Sequence, residues 1–585
     1  MNSVFYYIRL ALIWLAFFAV AKIYFLVING WNGWSTFVDM MQVWWHGLRL
    51  DFSVVGYFTA IPLLGHALQQ FIPRRLPLLV QVYHGFVWIF TTLIVASDPF
   101  FYYYWGQKAN LDFTQFLGQD NAGIASIEWT TFLSSVLFIT VSFFIFWKWV
   151  LSWFKLPEKG NIIVIILLLA CSVFFIRGGL GKVPINISSA YFSPNNIHNN
   201  AAVNGVWNFL ATELEKDKHA PLRFFENQRE AEQMISSFRS SPKQDYTDLL
   251  KPFTPKTNII CIVLESFSGK VVGSISGHKY ASTPELDSIA ISGITYSNAY
   301  ASSFRSDKGL LAITTGIPSG ARQTLTNFPD KLAKKPSIFN LFNSPYFSSF
   351  YYGGNMDFAN IKVLFQEANA VKSEDDFNTS IKNTWGAHDE VVFKTFADDF
   401  IRRKQPQFSM LFSLSSHEPF DVPNFHRYED PYRNSIAYTD SCLGVLIQRL
   451  KNSDKWDNTL IIITADHGVK RPDNAPIYSE RNFIIPLVLT GGVVKKDTMI
   501  SEIVSQADIP STLANYINQP SVFLQNSILK PSNYAFYSYH NGLVSVTPEG
   551  IQYFDITQHK YLTGSVNPPI EKAYYQWMNA YFFNR

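Results

Sequence analysis

Long apolar runs dominate the first 180 residues of this 585-residue chain. The runs cover residues 4–28, 52–72, 76–101, 129–154 and 162–176. Each is close to the length that crosses a hydrocarbon core of about 30 Å, and the fifth is the shortest. Nothing comparable recurs after Lys182. Buried helices of a large soluble protein are the weaker alternative on length alone. The pattern therefore predicts an α-helical membrane bundle of five spans over residues 1–180.

Basic residues in the short loops predict how this bundle is oriented. The first run has no small-residue cleavage site after it, so it is predicted to be a retained anchor. Arg74 and Arg75 lie between spans two and three, and Lys148, Lys155 and Lys159 fall at the link between spans four and five. Such residues favour the cytoplasm. We therefore expect a multi-pass protein of the cell (cytoplasmic or inner) membrane, with everything after the fifth span outside.

Charge and cysteine content exclude other classes of protein. The net charge of +3 is small and no basic stripe with interleaved aromatics occurs, so a nucleic-acid partner is not expected. Hydrophobic residues make up 48% of the chain and charged residues only 16%, which is too apolar for a fully soluble protein. Cys171, Cys261 and Cys442 form neither a metal-spaced pair nor a disulfide framework.

The remainder of the chain changes character twice. Residues 181–252 are predicted to be a linker, with a charged juxtamembrane helix in residues 211–241. Residues 253–585 alternate strand-like runs with amphipathic stretches such as residues 435–450. The strand-like runs cover residues 259–264, 347–352, 408–414, 460–464 and 484–489. This alternation predicts an extracytoplasmic α/β domain with a largely parallel central sheet.

Metal-ligand residue types follow two of the predicted strands. Glu265 comes directly after the run 258–264, and Asp466 and His467 come directly after 460–465. Ligand sites of α/β sheets lie just beyond the carboxyl ends of strands. The sequence therefore predicts one divalent metal site shared by these side chains. Their hard oxygen and imidazole donors allow Mn²⁺, Mg²⁺ or Zn²⁺.

A candidate nucleophile precedes a predicted helix. Ser306 stands before the stretch 310–315, which has helical character and stops at Gly316. A hydroxyl at a helix N-terminus lies beside free backbone N–H groups that can hold a phosphate. A serine followed by an aspartate is more often a plain helix cap, so the functional interpretation depends on the other candidate residues.

Those residues occur in a familiar order. Glu265 follows a strand, a hydroxyl begins a helix that ends in Gly-Ile-Pro318, His417 lies in a Ser-Ser-His-Glu-Pro turn, and Asp466-His467-Gly468 follow. In this the chain resembles, from end to end, the lipoteichoic acid synthase and phosphoglycerol transferase family, a sulfatase-like branch of the alkaline phosphatase superfamily. The resemblance implies that Glu265, Ser306, Asp466 and His467 bind one Mn²⁺-like ion.

The resemblance also implies roles around this metal site. Ser306 is preferred to Ser303 as the nucleophile because its spacing to Gly316 matches phosphoglycerol transferases, although the family usually has threonine there. His417 matches a histidine near the bound phosphoryl group, and a hydrogen-bonded loop histidine is its alternative. The segment 351–362, with Asn355 and Asn360, resembles the region of headgroup contacts. The Trp and Arg of lipoteichoic acid synthases have no match there, which leaves the headgroup open.

Together these observations predict a metal-dependent transferase. It would move a phosphoglycerol-type group from a phospholipid donor to an extracytoplasmic glycan or glycolipid acceptor through a phospho-serine on Ser306. A phosphoethanolamine transferase is the main alternative, although such enzymes usually have disulfide-bonded domains. A sulfatase is disfavoured because Asp307-Lys308-Gly309-Leu310 do not form a Ser-x-Pro-x-Arg signature after Ser306. A non-catalytic membrane scaffold would not need the complete ligand set.

Overall fold

The structure is a computed structural model with two compact units, Met1–Lys218 and His219–Arg585. It describes the chain except for a set of short segments and one longer segment. These are residues 1–2, 30–36, 70–75, 106–107, 110–128, 155–156, 158–159, 182–183, 194, 220–221, 240–243, 278, 322–324, 477, 540–541, 557, 563–567 and 585.

Five apolar helices occur in the described part of the first unit, and each overlaps one of the five predicted runs. They are α1 (Ser3–Asn29), α2 (Phe37–Leu68), α3 (Leu76–Trp105), α4 (Trp129–Ile145) and α5 (Ile162–Arg177). Among the described residues, α1, α2 and α3 are long and apolar enough to cross a membrane, while the last two are shorter apolar helices. The prediction of five full-length spans is therefore supported for three helices.

The predicted limits of the second span were wrong. Helix α2 begins at Phe37 and not at residue 52, and it ends at Leu68. Its first part carries Asp39, His46 and Arg49, which interrupt the apolar run although Val43, Gly47 and Leu50 are buried on one face. Of the basic residues used to predict orientation, Arg74, Arg75, Lys155 and Lys159 lie outside the described residues.

Two buried ion pairs lie inside this first unit. Lys22 Nζ of α1 donates to both carboxylate oxygens of Asp51 in α2, at 2.6 and 2.7 Å. Asn204 Nδ2 donates to Asp51 Oδ1 at 2.8 Å. In α3, Asp98 accepts from Lys108 Nζ at 2.6 Å and from the N–H of Ala109 at 2.9 Å. Each carboxylate is thus neutralised by a lysine of the chain.

The predicted linker contains several helices where one was expected. After the fifth apolar helix come α6 (Asn196–Ala202), α7 (Gly205–His219) and α8 (Gln228–Arg239). Helix α8 packs against the last helix of the chain, where Gln576 Oε1 accepts from the N–H groups of Phe224 and Phe225. The region 211–241 is therefore helical in two pieces.

The second unit contains a central sheet of eight strands. The strands are β1 (Asn258–Leu264), β2 (Ile294–Tyr296), β4 (Phe347–Tyr352), β5 (Ala370–Lys372), β6 (Gln407–Phe412), β7 (Thr459–Ala465), β8 (Leu487–Thr490) and β9 (Thr498–Ile500). Their spatial order is β5-β4-β6-β1-β7-β8-β2-β9. Only β8 runs antiparallel to its neighbours, so the prediction of a largely parallel sheet is confirmed. The strand predicted over residues 484–489 is this antiparallel strand, and it covers Leu487–Thr490 instead.

Further elements surround this sheet. Strands β3 (Ala299–Tyr300) and β10 (Val504–Ser505) form a small parallel pair. A separate antiparallel sheet, which the sequence did not reveal, contains β11 (Ala535–Tyr539), β12 (Gly542–Thr547), β13 (Gly550–Asp555) and β14 (Lys560–Tyr561). The helices are α9 (Gly273–Ser276), α10 (Pro284–Ile291), α11 (Ser306–Thr315), α12 (Pro329–Leu332), α13 (Asp389–Arg402), α14 (Pro431–Lys451), α15 (Ile509–Tyr516) and α16 (Ile570–Asn584).

Strand β1 lies at the centre, between β6 and β7. Every residue of β1 and β7 is buried, which explains why both read as unbroken apolar runs. The two strands are parallel and in register, with Leu264 opposite Ala465. The residues that follow each strand must therefore emerge side by side at one edge of the sheet.

Candidate active site

The carboxyl ends of β1 and β7 bring together three of the predicted ligands. One ligand atom each from Glu265, Asp466 and His467 lies within 4.8 Å of the others, and all three residues are buried. His467 Nε2 is 3.4 Å from Asp466 Oδ2 and 3.7 Å from Glu265 Oε1. Two carboxylates and one imidazole thus converge on one point.

The imidazole of His467 is held with one nitrogen facing this cluster. Its Nδ1 is 3.0 Å from the carbonyl oxygen of Gly468, so Nδ1 carries the proton and donates it. Nε2 then has its lone pair directed toward Glu265 and Asp466. A carbonyl that fixes the tautomer in this way is typical of histidine ligands of metals.

The buried charges of the cluster lack a counter-charge from the chain. Among the described residues, no lysine or arginine pairs with Glu265 or Asp466, and Asp466 Oδ2 accepts no hydrogen bond. Burial raises the pKa of Asp466 to about 7, and the charge of Glu265 adds to the effect. Burial opposes protonation of His467, but the two carboxylates outweigh it and raise its pKa. These donors fit a divalent cation.

Ser306 is the first residue of α11 and faces this cluster. Its hydroxyl donates to Glu265 Oε2 at 3.1 Å, and its Oγ is 3.4 Å from His467 Nε2. Gly309 allows the helix to come this close, because a Cβ there would lie 1.9 Å from the carbonyl oxygen of Asp466. The sequence analysis did not single out Gly309, although a glycine in the first turn of a helix signals such an approach.

Ser303, the alternative nucleophile, is turned away. Its hydroxyl donates to the carbonyl oxygen of Ser538 at 3.0 Å, and the residue is fully buried. Ser538 belongs to β11 of the separate antiparallel sheet. The hydroxyl of Ser303 is thereby engaged in packing that sheet, whereas the hydroxyl of Ser306 is engaged with the acidic cluster.

Ser266 braces the cluster and was missed from sequence. Its backbone has φ of 60°, a left-handed conformation that is uncommon for serine. In this conformation its N–H donates to Asp466 Oδ1 at 2.8 Å and its hydroxyl donates to Glu265 Oε1 at 2.6 Å. Such strain is tolerated where the surroundings hold it, and here it ties the end of one strand to the end of the other.

The turn after β6 supports Glu265 from the other side. Ser413 Oγ accepts from the N–H of Glu265 at 2.7 Å, and Ser416 Oγ donates to its carbonyl oxygen at 2.6 Å. The turn itself is held by the buried Asp389, which accepts from the N–H groups of Leu414 and Ser415. Asp389 begins a helix far away in sequence, and no local signal marks it.

His417 ends this turn and is partly buried. Its Nδ1 is 2.8 Å from the carbonyl oxygen of Glu418, and its ring packs against Trp385 with centroids 4.3 Å apart. Burial lowers the pKa of His417, although the Glu418 carbonyl and the charge of Asp466 oppose the shift. Because Nδ1 donates to this carbonyl oxygen, Nε2 is the imidazole nitrogen that is left to exchange a proton.

The two predicted headgroup contacts are engaged in loop structure. Asn355 Oδ1 accepts from the N–H of Asp357 at 2.8 Å and closes a turn. Asn360 is buried, has φ of 58°, and donates to Asn327 Oδ1 at 2.6 Å. Neither bond leads to the acidic cluster, and a substrate role for Asn355 and Asn360 stays a prediction.

Known proteins resemble this chain in its second unit. Residues 257–518 match the Sulfatase family model. A lipoteichoic acid synthase of Staphylococcus saprophyticus is 26% identical over 264 residues, which cover 40% of this chain and 39% of that protein. Phosphoglycerol transferase I of Xanthomonas campestris is 26% identical over 143 residues, covering 22% of this chain and 20% of that protein. The chain thus aligns with well under half the length of either relative.

A solved structure shows the same fold. A protein in the alkaline phosphatase superfamily from Vibrio parahaemolyticus superposes with a TM-score of 0.52 at 22% identity, covering 62% of this chain and 97% of that chain. The family model covers strands β1 and β7, which precede Glu265 and Asp466, and the helix that begins at Ser306. This part of the chain is therefore similar to the Sulfatase family and shares its fold with the Vibrio protein. Its relatives include a lipoteichoic acid synthase and a phosphoglycerol transferase, and the resemblance predicted from sequence is confirmed.

Proposed function

We propose that this protein is a membrane-bound transferase that moves a phosphoglycerol-type group from a phospholipid to an extracytoplasmic glycan or glycolipid. The group would be carried as a phosphodiester on Ser306. One observation carries the proposal: the hydroxyl of Ser306 begins a helix and donates directly into the cluster of Glu265, Asp466 and His467. The names of the two curated relatives favour phosphoglycerol chemistry over sulfate-ester hydrolysis.

Glu265, Asp466, His467 and the oxygen of Ser306 would hold one divalent ion, with Mn²⁺ expected from the resemblance. When bound, such an ion lowers the pKa of the serine hydroxyl and offsets charge on the phosphoryl group. Residues of the chain would position the serine oxygen and the phosphate. Glu265 Oε2 accepts the hydrogen bond from the Ser306 hydroxyl, and Ser306 is the first residue of α11, where free backbone N–H groups can hold a phosphate.

Two displacements complete the reaction. In the first, the proton of the Ser306 hydroxyl passes to Glu265 Oε2, Ser306 Oγ bonds to phosphorus as the bond to the lipid alcohol breaks, and the departing alkoxide takes a proton from protonated His417 Nε2. In the second, an acceptor hydroxyl attacks phosphorus and gives its proton to His417 Nε2, while the bond to Ser306 Oγ breaks and the serine oxygen regains its proton from Glu265. The nitrogen used in both steps is the one that does not face the Glu418 carbonyl.

We expect the reaction to take place outside the cytoplasm, where the proposed phospholipid donor and glycan acceptor would meet. The apolar helices α1 to α3 would anchor the chain in the cell membrane, with the sulfatase domain on the outer face as the loop charges predict. Protease added to intact spheroplasts should then cleave the domain. Cleavage that requires prior lysis of the membrane would contradict this orientation.

Mass spectrometry of the active-site peptide tests the proposal. The purified full chain is incubated with phosphatidylglycerol or with phosphatidylethanolamine, and the mass added to the Ser306 peptide identifies the group. We expect a glycerophosphoryl adduct from the first lipid. A phosphoethanolamine adduct would move the protein to the alternative transferase class, and no adduct from either lipid would contradict both.

Ser303 provides the matched control. Ser306→Ala should abolish the adduct, because the only hydroxyl that donates to Glu265 from this helix is lost. Ser303→Ala should retain it, since that hydroxyl faces Ser538. Ser306→Thr should keep part of the activity because threonine supplies the same oxygen. An adduct that survives in Ser306→Ala and disappears in Ser303→Ala would show that the nucleophile is Ser303.

A further inference from the structure

A short hairpin beside β4 approaches the candidate active site from a distant part of the sequence. It spans residues 381–388 and is closed by the N–H of Asn383 donating to Gly386 O and the N–H of His388 donating to Ile381 O. The N–H of Ala387 donates to the carbonyl oxygen of Gly353, just after β4. The hairpin is therefore fixed to the carboxyl edge of the central sheet.

Gly386 makes this contact possible. Its φ is 149°, and a Cβ at this position would lie 2.0 Å from the carbonyl oxygen of Gly353. The tip of the hairpin is held from within, because Asn383 Oδ1 accepts from the N–H groups of Trp385 and Gly386 at 2.8 and 3.2 Å. The backbone that carries Trp385 is thus tightly constrained.

Trp385 reaches from this hairpin to the turn that carries His417. Its indole N–H donates to the carbonyl oxygen of Glu418 at 2.8 Å. The same oxygen faces His417 Nδ1 at 2.8 Å. The indole and imidazole rings also pack together, with centroids 4.3 Å apart and planes at 51°. One carbonyl oxygen therefore accepts from both rings.

This shared acceptor defines the orientation of the imidazole. A carbonyl oxygen can accept two hydrogen bonds, and the bond from Trp385 fixes where that oxygen points. His417 Nδ1 then keeps its own proton, which it donates to the carbonyl oxygen of Glu418, whether or not Nε2 is protonated. Nε2 is left as the nitrogen that exchanges a proton, which is the arrangement that acid–base catalysis by histidine requires.

We propose that Trp385 is a positioning residue that holds His417 so that Nε2 can give a proton to the departing lipid alcohol. The inference rests on the proposed function. In the step concerned, the proton of the Ser306 hydroxyl passes to Glu265 Oε2, the bond between Ser306 Oγ and phosphorus forms, the bond between phosphorus and the lipid oxygen breaks, and the proton on His417 Nε2 moves to that oxygen.

Two donors with different leaving groups separate this role from a structural one. Phosphatidylglycerol loses an alkoxide, which needs a proton, whereas glycerol p-nitrophenyl phosphate loses p-nitrophenolate, which departs without one. Formation of the Ser306 adduct is followed in a single turnover for the full chain and for Trp385→Leu, Trp385→Phe and His417→Gln. Metal content and melting temperature are measured for every variant.

We expect Trp385→Leu to slow the reaction of the lipid by about 10- to 100-fold, and that of the nitrophenyl ester by less than about threefold, because general acid catalysis contributes about 100-fold or more. Trp385→Phe, which keeps a ring but loses the N–H, should lie between wild type and Trp385→Leu. In the double variant with His417→Gln, the loss should be no larger than in His417→Gln alone, since one residue acts through the other.

Trp456 is the matched control in the same unit. Its ring lies near Lys451, outside the site, so Trp456→Leu should leave the ratio of the two rates unchanged. Equal slowing of both donors in Trp385→Leu, or additive losses in the double variant, would overturn the positioning role. Failure of the proposed function would give a different result from failure of the positioning role. Wild type would then form no adduct with the lipid, and that outcome would overturn both proposals.

Discussion

Both units of this protein bury carboxylates, but they neutralise them differently. In the first unit Asp51 and Asp98 are each 2.6 Å from a lysine nitrogen and accept a further hydrogen bond. In the second unit Glu265 and Asp466 are at least as buried, yet within the described part of the chain their only charged neighbour of opposite sign is His467. Among the described residues, lysines neutralise the buried carboxylates of the first unit, and no lysine or arginine does so for Glu265 and Asp466.

This difference separates structural charge from functional charge. An isolated buried carboxylate costs several kcal/mol unless it is paired, protonated or bound to a metal. In the first unit lysines offset this free-energy cost. The pair of Lys22 and Asp51 connects α1 with α2, and Lys108 pairs with Asp98 of α3. At the edge of the central sheet no lysine or arginine among the described residues offsets this free-energy cost, and the cluster of Glu265, Asp466 and His467 could hold a divalent ion instead.

The strongest test removes a ligand charge and leaves the shape. In Asp466→Asn or Glu265→Gln we expect transferase activity to fall by more than about 100-fold, because even residues that only support a ligand typically cost 10- to 100-fold. Bound metal, measured by elemental analysis, should fall with it, while the melting temperature without metal does not fall. Near-normal activity with metal still bound would show that the ligands are elsewhere.

Removing one charge of a buried ion pair in the first unit should instead lower the stability of the protein. Lys22→Ala leaves Asp51 buried with only Asn204 as a donor, and we expect a loss of about 3–5 kcal/mol in stability, as for other broken buried pairs. Thermal unfolding in detergent measures it, with exposed Arg402→Ala as the control. Equal stability of Lys22→Ala and wild type would remove the contrast between the two regions.

The pH dependence of the metal-free protein sharpens the contrast further. Because burial raises the pKa of Asp466 to about 7, the folded chain holds a proton there more tightly than the unfolded chain does. Asp466 therefore lowers stability most above about pH 7, and the penalty disappears as the pH falls toward the unfolded pKa near 4.

Asp466→Asn isolates this effect. Without metal, the variant should be more stable than wild type above about pH 7 by up to about 4 kcal/mol, which is the equivalent of about three pKa units, and the two should converge in mild acid. Melting curves of both proteins in chelator, recorded as a function of pH, provide the measurement. Curves that stay parallel across this range would mean that Asp466 titrates normally.

The smallest effect is expected when both charges of a structural pair are removed together. Lys22→Met combined with Asp51→Leu replaces the ion pair with apolar side chains of similar size, which is often neutral or stabilising. The melting temperature should stay at or slightly above that of wild type. A loss as large as that of Lys22→Ala alone would show that the pair contributes more than mutual neutralisation.

The sequence predicted those parts of the fold that depend on local pattern. Strands β1 and β7 are buried throughout, so each reads as an apolar run, and Glu265 and Asp466 follow because parallel strands end at one edge. Ser306 was found because polar residues precede the helical stretch and the order of motifs matched a family. The start of α11 at Ser306 confirms the local part of that interpretation.

Other features depend on partners far away in sequence. Nothing near Asp389 or Trp385 indicates that they reach the turn after β6, since those contacts exist only in the folded chain. The strands β11 to β13 bury residues on both faces, so the alternation that would mark an exposed antiparallel sheet is weak. Helix α2 was cut short because its polar positions broke the hydropathy pattern while its buried face continued.

The cross-bracing by Ser266 also has a consequence for timing. Strand β1 is made first, but both of its neighbours, β6 and β7, are made much later, and Ser266 needs Asp466 to satisfy its N–H. A chain that is still being translated and exported therefore has no cluster until residue 467 has emerged. Under the proposed function, capture of a metal ion and activation of Ser306 would begin only when the domain closes, so the growing chain would not react with the lipids around it.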